Sequence, residues 1–303
     1  MNFIQNLRHV FLFFIQRNIF LAVFVSFLYY MSVNHYQVTA KMLNNLMPTN
    51  FEYWATLAQN QEAPDINQLK QSKKYYQKLI KLFSDDTASM NLLAFIYFYS
   101  GDLEMAKKLY QESARINSRY FGTHYNLGLI YFLQKDYVQA ELSFKKCLVG
   151  SLAVASEFIY SSRAYLPIRK SIPQFETFIQ KKISQENSWA SSMLAVSVYL
   201  RNFPAIAQGQ FQVDSNLEFQ DFLYFRLGQE ALYFKQYSTA VYFFQESLNK
   251  NPEYLPALHG LGVSLQTLGK SDVAAKIFYK EKVLRKTSKK SSVKEAFLNP
   301  QVF

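Results

Sequence analysis

Half of the 303 residues are hydrophobic, with 28 Phe and 22 Tyr against nine Gly and eight Pro, a balance that suits long helices joined by short turns. Cys147 is the only cysteine, which excludes an intrachain disulfide and any set of thiols for zinc or an iron–sulfur cluster. The formal charge of +11 is scattered through most of the chain, so it reads as solubility and disfavours a nucleic-acid partner.

Residues 1–17 form a short N-terminal region ahead of an uncharged stretch, IFLAVFVSFLYYMSV from Ile19 to Val33. With Asn18 and the residues to Tyr36 it reaches about the 20 residues a bilayer-spanning helix needs. The sequence therefore predicts a transmembrane helix over 18–36, with Tyr29, Tyr30 and Tyr36 as an aromatic belt. Arg8 and Arg17 lie on the near side and only Lys41 close on the far side, which puts the N-terminus in the cytoplasm. The remainder is then exported, in a bacterium to the periplasm, as part of a single-pass inner-membrane protein. Val38-Thr39-Ala40 also has the small residues of a signal-peptide cleavage site, and cleavage there would export the same remainder. Residues 37–52 serve as a linker.

From there the chain resembles itself every 34 residues, the spacing of helix-turn-helix units. The clearest units span 87–120, 121–154, 221–254 and 255–288. The first carries Leu93, Ala94 and Tyr97, a turn at Gly101, then Ala106, Tyr110 and Ala114. The second carries Leu127, Gly128 and Tyr131, then Tyr137, Ala140, Phe144 and Cys147. The third has Leu227 and Gly228, then Tyr237, Ala240 and Phe244, and closes on Asn251-Pro252; the fourth has Leu261, Gly262, Leu265, Gly269, Ala274 and Phe278. Small residues at the Gly128 and Ala140 places let two helices approach closely while large residues fill the space between pairs.

This pattern resembles the tetratricopeptide repeat (TPR), whose signature is W-x2-L-G-x2-Y followed by A-x3-F and a closing proline. The signature tryptophan is replaced by Met90, His124, Tyr224 and Leu258, so the likeness is to a divergent array. The expected fold is all-α: a TPR-type solenoid of antiparallel helix pairs behind one N-terminal transmembrane helix. Residues 53–86 are expected to form an irregular capping repeat, because Pro64 interrupts their first half. Residues 155–220 are expected to hold two degenerate helix pairs, with Arg201-Asn202-Phe203 at the turn of the second and a two-residue slip in the first near Pro167 and Pro173.

The resemblance implies that the first helices line a concave groove. Its groove places hold Asn91, Phe95, Phe98 and Tyr99 in the first unit, Tyr125, Leu129 and Phe132 in the second, and Phe222, Phe225, Gln229 and Tyr233 in the third. Such a groove takes an apolar peptide or helix of a protein partner. The same side chains could instead pack against neighbouring helices. Lys280, Lys282, Arg285, Lys286, Lys289, Lys290 and Lys294 give the C-terminal end, including the tail 289–303, a basic character. That supports a second reading, a cytoplasm-facing adaptor using the tail on anionic lipid or nucleic acid.

His9, His35, His124 and His259 are dispersed, no group has metal-ligand spacing, and Gly260-Leu261-Gly262 fills the small place of the repeat and is not a phosphate loop. No catalytic residue, metal or cofactor is expected. The sequence thus points to a non-enzymatic, membrane-anchored scaffold or assembly factor whose self-association is left open.

Overall fold

The structure is a computed structural model that describes residues 65–149 and 173–287. The expected membrane helix over 18–36, the linker 37–52, most of the first half of the capping repeat and the tail 289–303 lie outside these residues. Among the described residues every element is a helix, and no helix there is long and apolar enough to cross a membrane.

Helix α1 (Ile66–Leu82) precedes two antiparallel pairs, α2 (Thr87–Tyr99) with α3 (Leu103–Ile116) and α4 (Phe121–Leu133) with α5 (Tyr137–Val149). After α6 (Phe175–Arg201) and the short α7 (Phe203–Ala207) come two further pairs, α8 (Gln220–Tyr233) with α9 (Tyr237–Lys250) and α10 (Leu255–Thr267) with α11 (Ser271–Thr287).

Each pair turns on a left-handed residue, at φ 81° for Gly101, 61° for Lys135, 57° for Lys235 and 77° for Gly269. In each turn the next amide reaches back to a carbonyl five residues earlier, as from Asp102 to Tyr97 (2.9 Å) and from Asp136 to Tyr131 (2.9 Å). Asp102 and Asp136 then cap the following helix, accepting from the amides of Met105 and Gln139 at 3.1 Å. One residue thus closes one helix and opens the next, which is why the turns can be so short.

Packing within a pair is set by a ring seated on a residue without a side chain. A Cβ added to Gly128 would lie 2.6 Å from the Phe144 ring, to Gly228 2.7 Å from Phe244, and to Gly262 2.5 Å from Phe278. Phe244 is held on a second side by the next pair, where a Cβ at Gly260 would lie 2.4 Å away. Polar side chains repeat as well, since Gln77 donates to the Tyr97 hydroxyl and Gln111 to that of Tyr131, both at 2.9 Å.

The segment before α8 differs from the expected two degenerate pairs. Residues 155–172 lie outside the described set. In the remainder a single helix of 27 residues runs unbroken to Arg201, with no turn dividing it into a pair. Ile179, Ile183, Met193 and Val196 are buried along one face of it, and it packs mainly on α5. The helix ends at Arg201, the expected turn, but the helix after it has five residues instead of a full second helix. Phe203 nonetheless stacks on Phe234 with ring centroids 5.7 Å apart.

A cross-tie joins α4 and α5 to α8. Glu230 is buried and accepts from the Tyr137 hydroxyl at 2.7 Å and from Lys135 Nζ at 3.0 Å. Lys135 also lies 4.3 Å over the Tyr233 ring, and the Arg226 guanidinium lies 4.9 Å over Phe132.

Gly260→Ala should destabilise the chain by about 1–3 kcal/mol in urea unfolding, and adding Phe244→Leu should cost less than the sum of the two single changes. Lys235→Gly should raise stability by about 1 kcal/mol, because its left-handed backbone is strained for any residue with a Cβ. Lys135→Gly should gain less, since it also removes the ion pair to Glu230.

Candidate protein-binding groove

Helix α2 is buried at every residue from Thr87 to Tyr97, and α4 at every residue from Phe121 to Ile130. Both are apolar all round, the composition of a helix covered on all sides. This corrects the expected groove. Phe95, Tyr125, Leu129 and Phe132 are at most 1% exposed, Asn91 and Phe222 at most 5%, so all six are packing residues. Asn91 accepts from the Thr123 hydroxyl at 3.0 Å. Tyr125 packs edge-on to Phe144, and Phe132 meets Phe222 with centroids 6.2 Å apart across the junction of α4 and α8. Phe98 and Tyr99 are half-buried, the Tyr99 ring lying 4.8 Å from Phe95. Tyr233 is exposed beside Lys135.

The remaining two expected residues, Phe225 and Gln229, come together at an open cavity of about 570 Å³. Leu232 joins them from α8, Phe244 from α9, Tyr254, Pro256, His259 and Val263 from the start and first turns of α10, and Arg285 from the last turn of α11. Pro256, His259 and Val263 stand in α10 where Phe222, Phe225 and Gln229 stand in α8, one period on. The register that placed the groove residues of the third unit therefore identifies these three, although only the first three units had been assigned. Arg285 on a second helix carried no such signal.

A carboxylate organises the mouth of this cavity. Glu281 is buried, and its Oε1 accepts from Arg285 Nε at 2.9 Å and Nη2 at 2.6 Å. Its Oε2 lies 3.2 Å from His259 Nδ1. Burial pushes the Glu281 carboxyl up, but the hydrogen bonds from Arg285 and His259 outweigh it and hold it below its usual value.

A second cavity, of about 670 Å³, opens between residues 206–213 and the α8–α9 pair; Phe211, Tyr224 and Tyr242 are among its lining, and none of its lining residues is charged. Two further titratable groups are buried in the packing. Burial lowers the pKa of His124, whose Nε2 lies 2.9 Å from the Ser118 carbonyl. Burial, followed by the charge of Glu186, raises that of the Cys147 thiol well above its ordinary value, which leaves it protonated and inert. No group of His, Cys, Asp or Glu among the described residues could hold a metal ion.

The uncharacterized protein ycf37 of Pyropia yezoensis is 29% identical to the chain over a stretch covering 35% of this chain and 72% of the relative. Among solved structures, MamA matches at 12% identity over 73% of this chain and 91% of its own, with a TM-score of 0.34. YrrB, described as a TPR protein with an unusual peptide-binding site, matches at 16% identity over 74% of this chain and 95% of its own, with a TM-score of 0.33. A family model for the tetratricopeptide repeat matches residues 86–148. That match falls on α2 to α5, whose left-handed turns and ring-on-glycine contacts recur in α8 to α11, so the chain is similar to the tetratricopeptide-repeat family over these residues.

Proposed function

We propose that the chain is a membrane-anchored scaffold that recruits a protein partner by seating an apolar side chain in the cavity between α8, α10 and α11. The observation that carries this reading is the cavity itself. At it, side chains at groove positions of two successive first helices, Phe225 and Gln229 with His259 and Val263, face open space together. An anchor residue of a partner peptide fits such a site, because a buried aromatic or aliphatic side chain supplies most of the binding energy of a small interface. Nothing in the site calls for catalysis, and the scaffold is proposed as non-enzymatic.

The uncharged run over 18–36 would tether the array, and the charge bias of its flanks would place the repeats on the periplasmic side of an inner membrane. The second reading draws on α11, where Lys280, Lys282, Arg285 and Lys286 are all exposed. If the repeats faced the cytoplasm, that helix would meet the anionic leaflet.

Two experiments test this. A photo-crosslinking residue placed at Gln229 should capture one discrete polypeptide in intact cells, and Val263→Glu in the same protein should abolish the adduct; an adduct that persists would reject the cavity. A topology reporter joined after Phe303 should be active only outside the cytoplasm. Activity confined to the cytoplasm would select the lipid-facing adaptor.

A further inference from the structure

The second helix of each pair has one buried place that meets the beginning of its own first helix. Ser113, Cys147 and Ser247 fill it, each at most 1% exposed. The Ser247 hydroxyl donates to the Asp221 carbonyl at 2.7 Å, and that of Ser113 reaches the Thr87 carbonyl at 3.4 Å. Packing there asks for a small side chain with at most one donor. In α11 the same place, 34 residues after Ser247, holds Glu281.

A carboxylate in this position costs desolvation that a serine does not, and it is retained by giving both oxygens to partners. Those partners are not needed to fill space. The Arg285 side chain is 61% exposed and that of His259 59%, and both line the cavity. With Nε and Nη2 of Arg285 and Nδ1 of His259 turned to Glu281, Arg285 Nη1 and His259 Nε2 are left as the outward polar edges. The covered carboxylate therefore holds two side chains in fixed orientation at the mouth of an apolar cavity while presenting little of itself to a ligand. Lys280, Lys282 and Lys286 add positive charge on the same helix, against Glu253 as the acidic side chain among the lining residues.

Resting on the reading of this cavity as the partner site, we propose that it takes a polypeptide segment of defined chemistry. A bulky apolar side chain seats among Phe225, Leu232 and Val263, and an Asp or Glu within three residues of it lands on Nη1 of Arg285, beside His259. A guanidinium already oriented loses little freedom on binding, the charge of α11 speeds the approach of an acidic segment, and a basic one meets like charge.

The test is selection of a randomised peptide-display library on the full-length chain in detergent. The recovered clones are then titrated on wild type, Val263→Glu, Arg285→Gln and Arg285→Glu, with circular dichroism confirming the fold of each variant. Recovered clones should carry Asp or Glu within three residues of Phe, Leu, Ile or Trp, and should weaken about tenfold on Arg285→Gln. Lys-for-Asp versions of the same clones should bind Arg285→Glu better than wild type. Should Arg285→Gln disturb α11, His259→Ala replaces it, with an expected loss of about threefold. Clones that depend on Val263 without acidic preference, or that ignore both Arg285→Gln and His259→Ala, overturn the acidic-segment proposal and leave the cavity reading standing. Clones indifferent to Val263→Glu, or no clones at all, overturn both.

Discussion

The contact on which the array depends is an aromatic ring pressed onto a backbone that has no side chain to keep it away. Phe144, Phe244 and Phe278 each sit where a Cβ on the facing glycine would come within 3 Å, and Phe244 is gripped this way by two successive pairs. A ring so held cannot shift without opening a void on one side or a clash on the other, because protein interiors are packed as densely as organic crystals. That contact fixes the distance between helices in a pair, and through Gly260 the distance between pairs. The left-handed turns and the shared Asp caps follow from it, since only a short connection keeps both helices in register with the ring.

The same contact explains why the architecture could be read from the sequence. Small and large places must recur at one period for the rings to find their seats, so Gly128, Gly228 and Gly262 with Phe144, Phe244 and Phe278 announce helix pairs without any structural knowledge. The segment before α8 was less legible. There the buried apolar face and the exposed polar face of Phe175–Arg201 both run on at one helical period, with no Gly or Pro at which to cut the helix. The left-handed Lys135 and Lys235 were hidden for a different reason, since lysine carries no turn signal of its own and the place is identified only by Gly101 and Gly269 one period away.

Only part of the open cavity was legible, Phe225 and Gln229 among the expected groove residues. Repeat register tells which side chains leave a first helix on the inner side, and it placed Phe225 and Gln229 at the cavity. It does not tell what lies opposite them. Phe95, Tyr125, Leu129 and Phe132 occupy equivalent places and are wholly covered, because α2 and α4 have no polar stripe to keep in water. Openness is a property of how neighbouring units meet, and a pattern confined to one unit does not encode it. What does stand out in sequence, once the repeat is aligned, is Glu281 at a place that holds serine in two other units, which breaks the packing rule beside the open cavity.

The tie between Glu230 and the Tyr137–Lys135 turn bears on how the molecule reaches its folded state. A stack held only by adjacent neighbours can assemble from any point and fray from either end. Here a hydrogen bond spans 93 positions of sequence, so part of the native energy is withheld until a loop of that length has closed. Closure entropy grows only logarithmically with span, which makes the tie inexpensive at equilibrium yet late in time, and raises the mean separation of contacts above that of a simple helical array. The two halves are thereby coupled into one cooperative unit, and the cavity in the second half inherits its rigidity from a bond whose other end lies in the first.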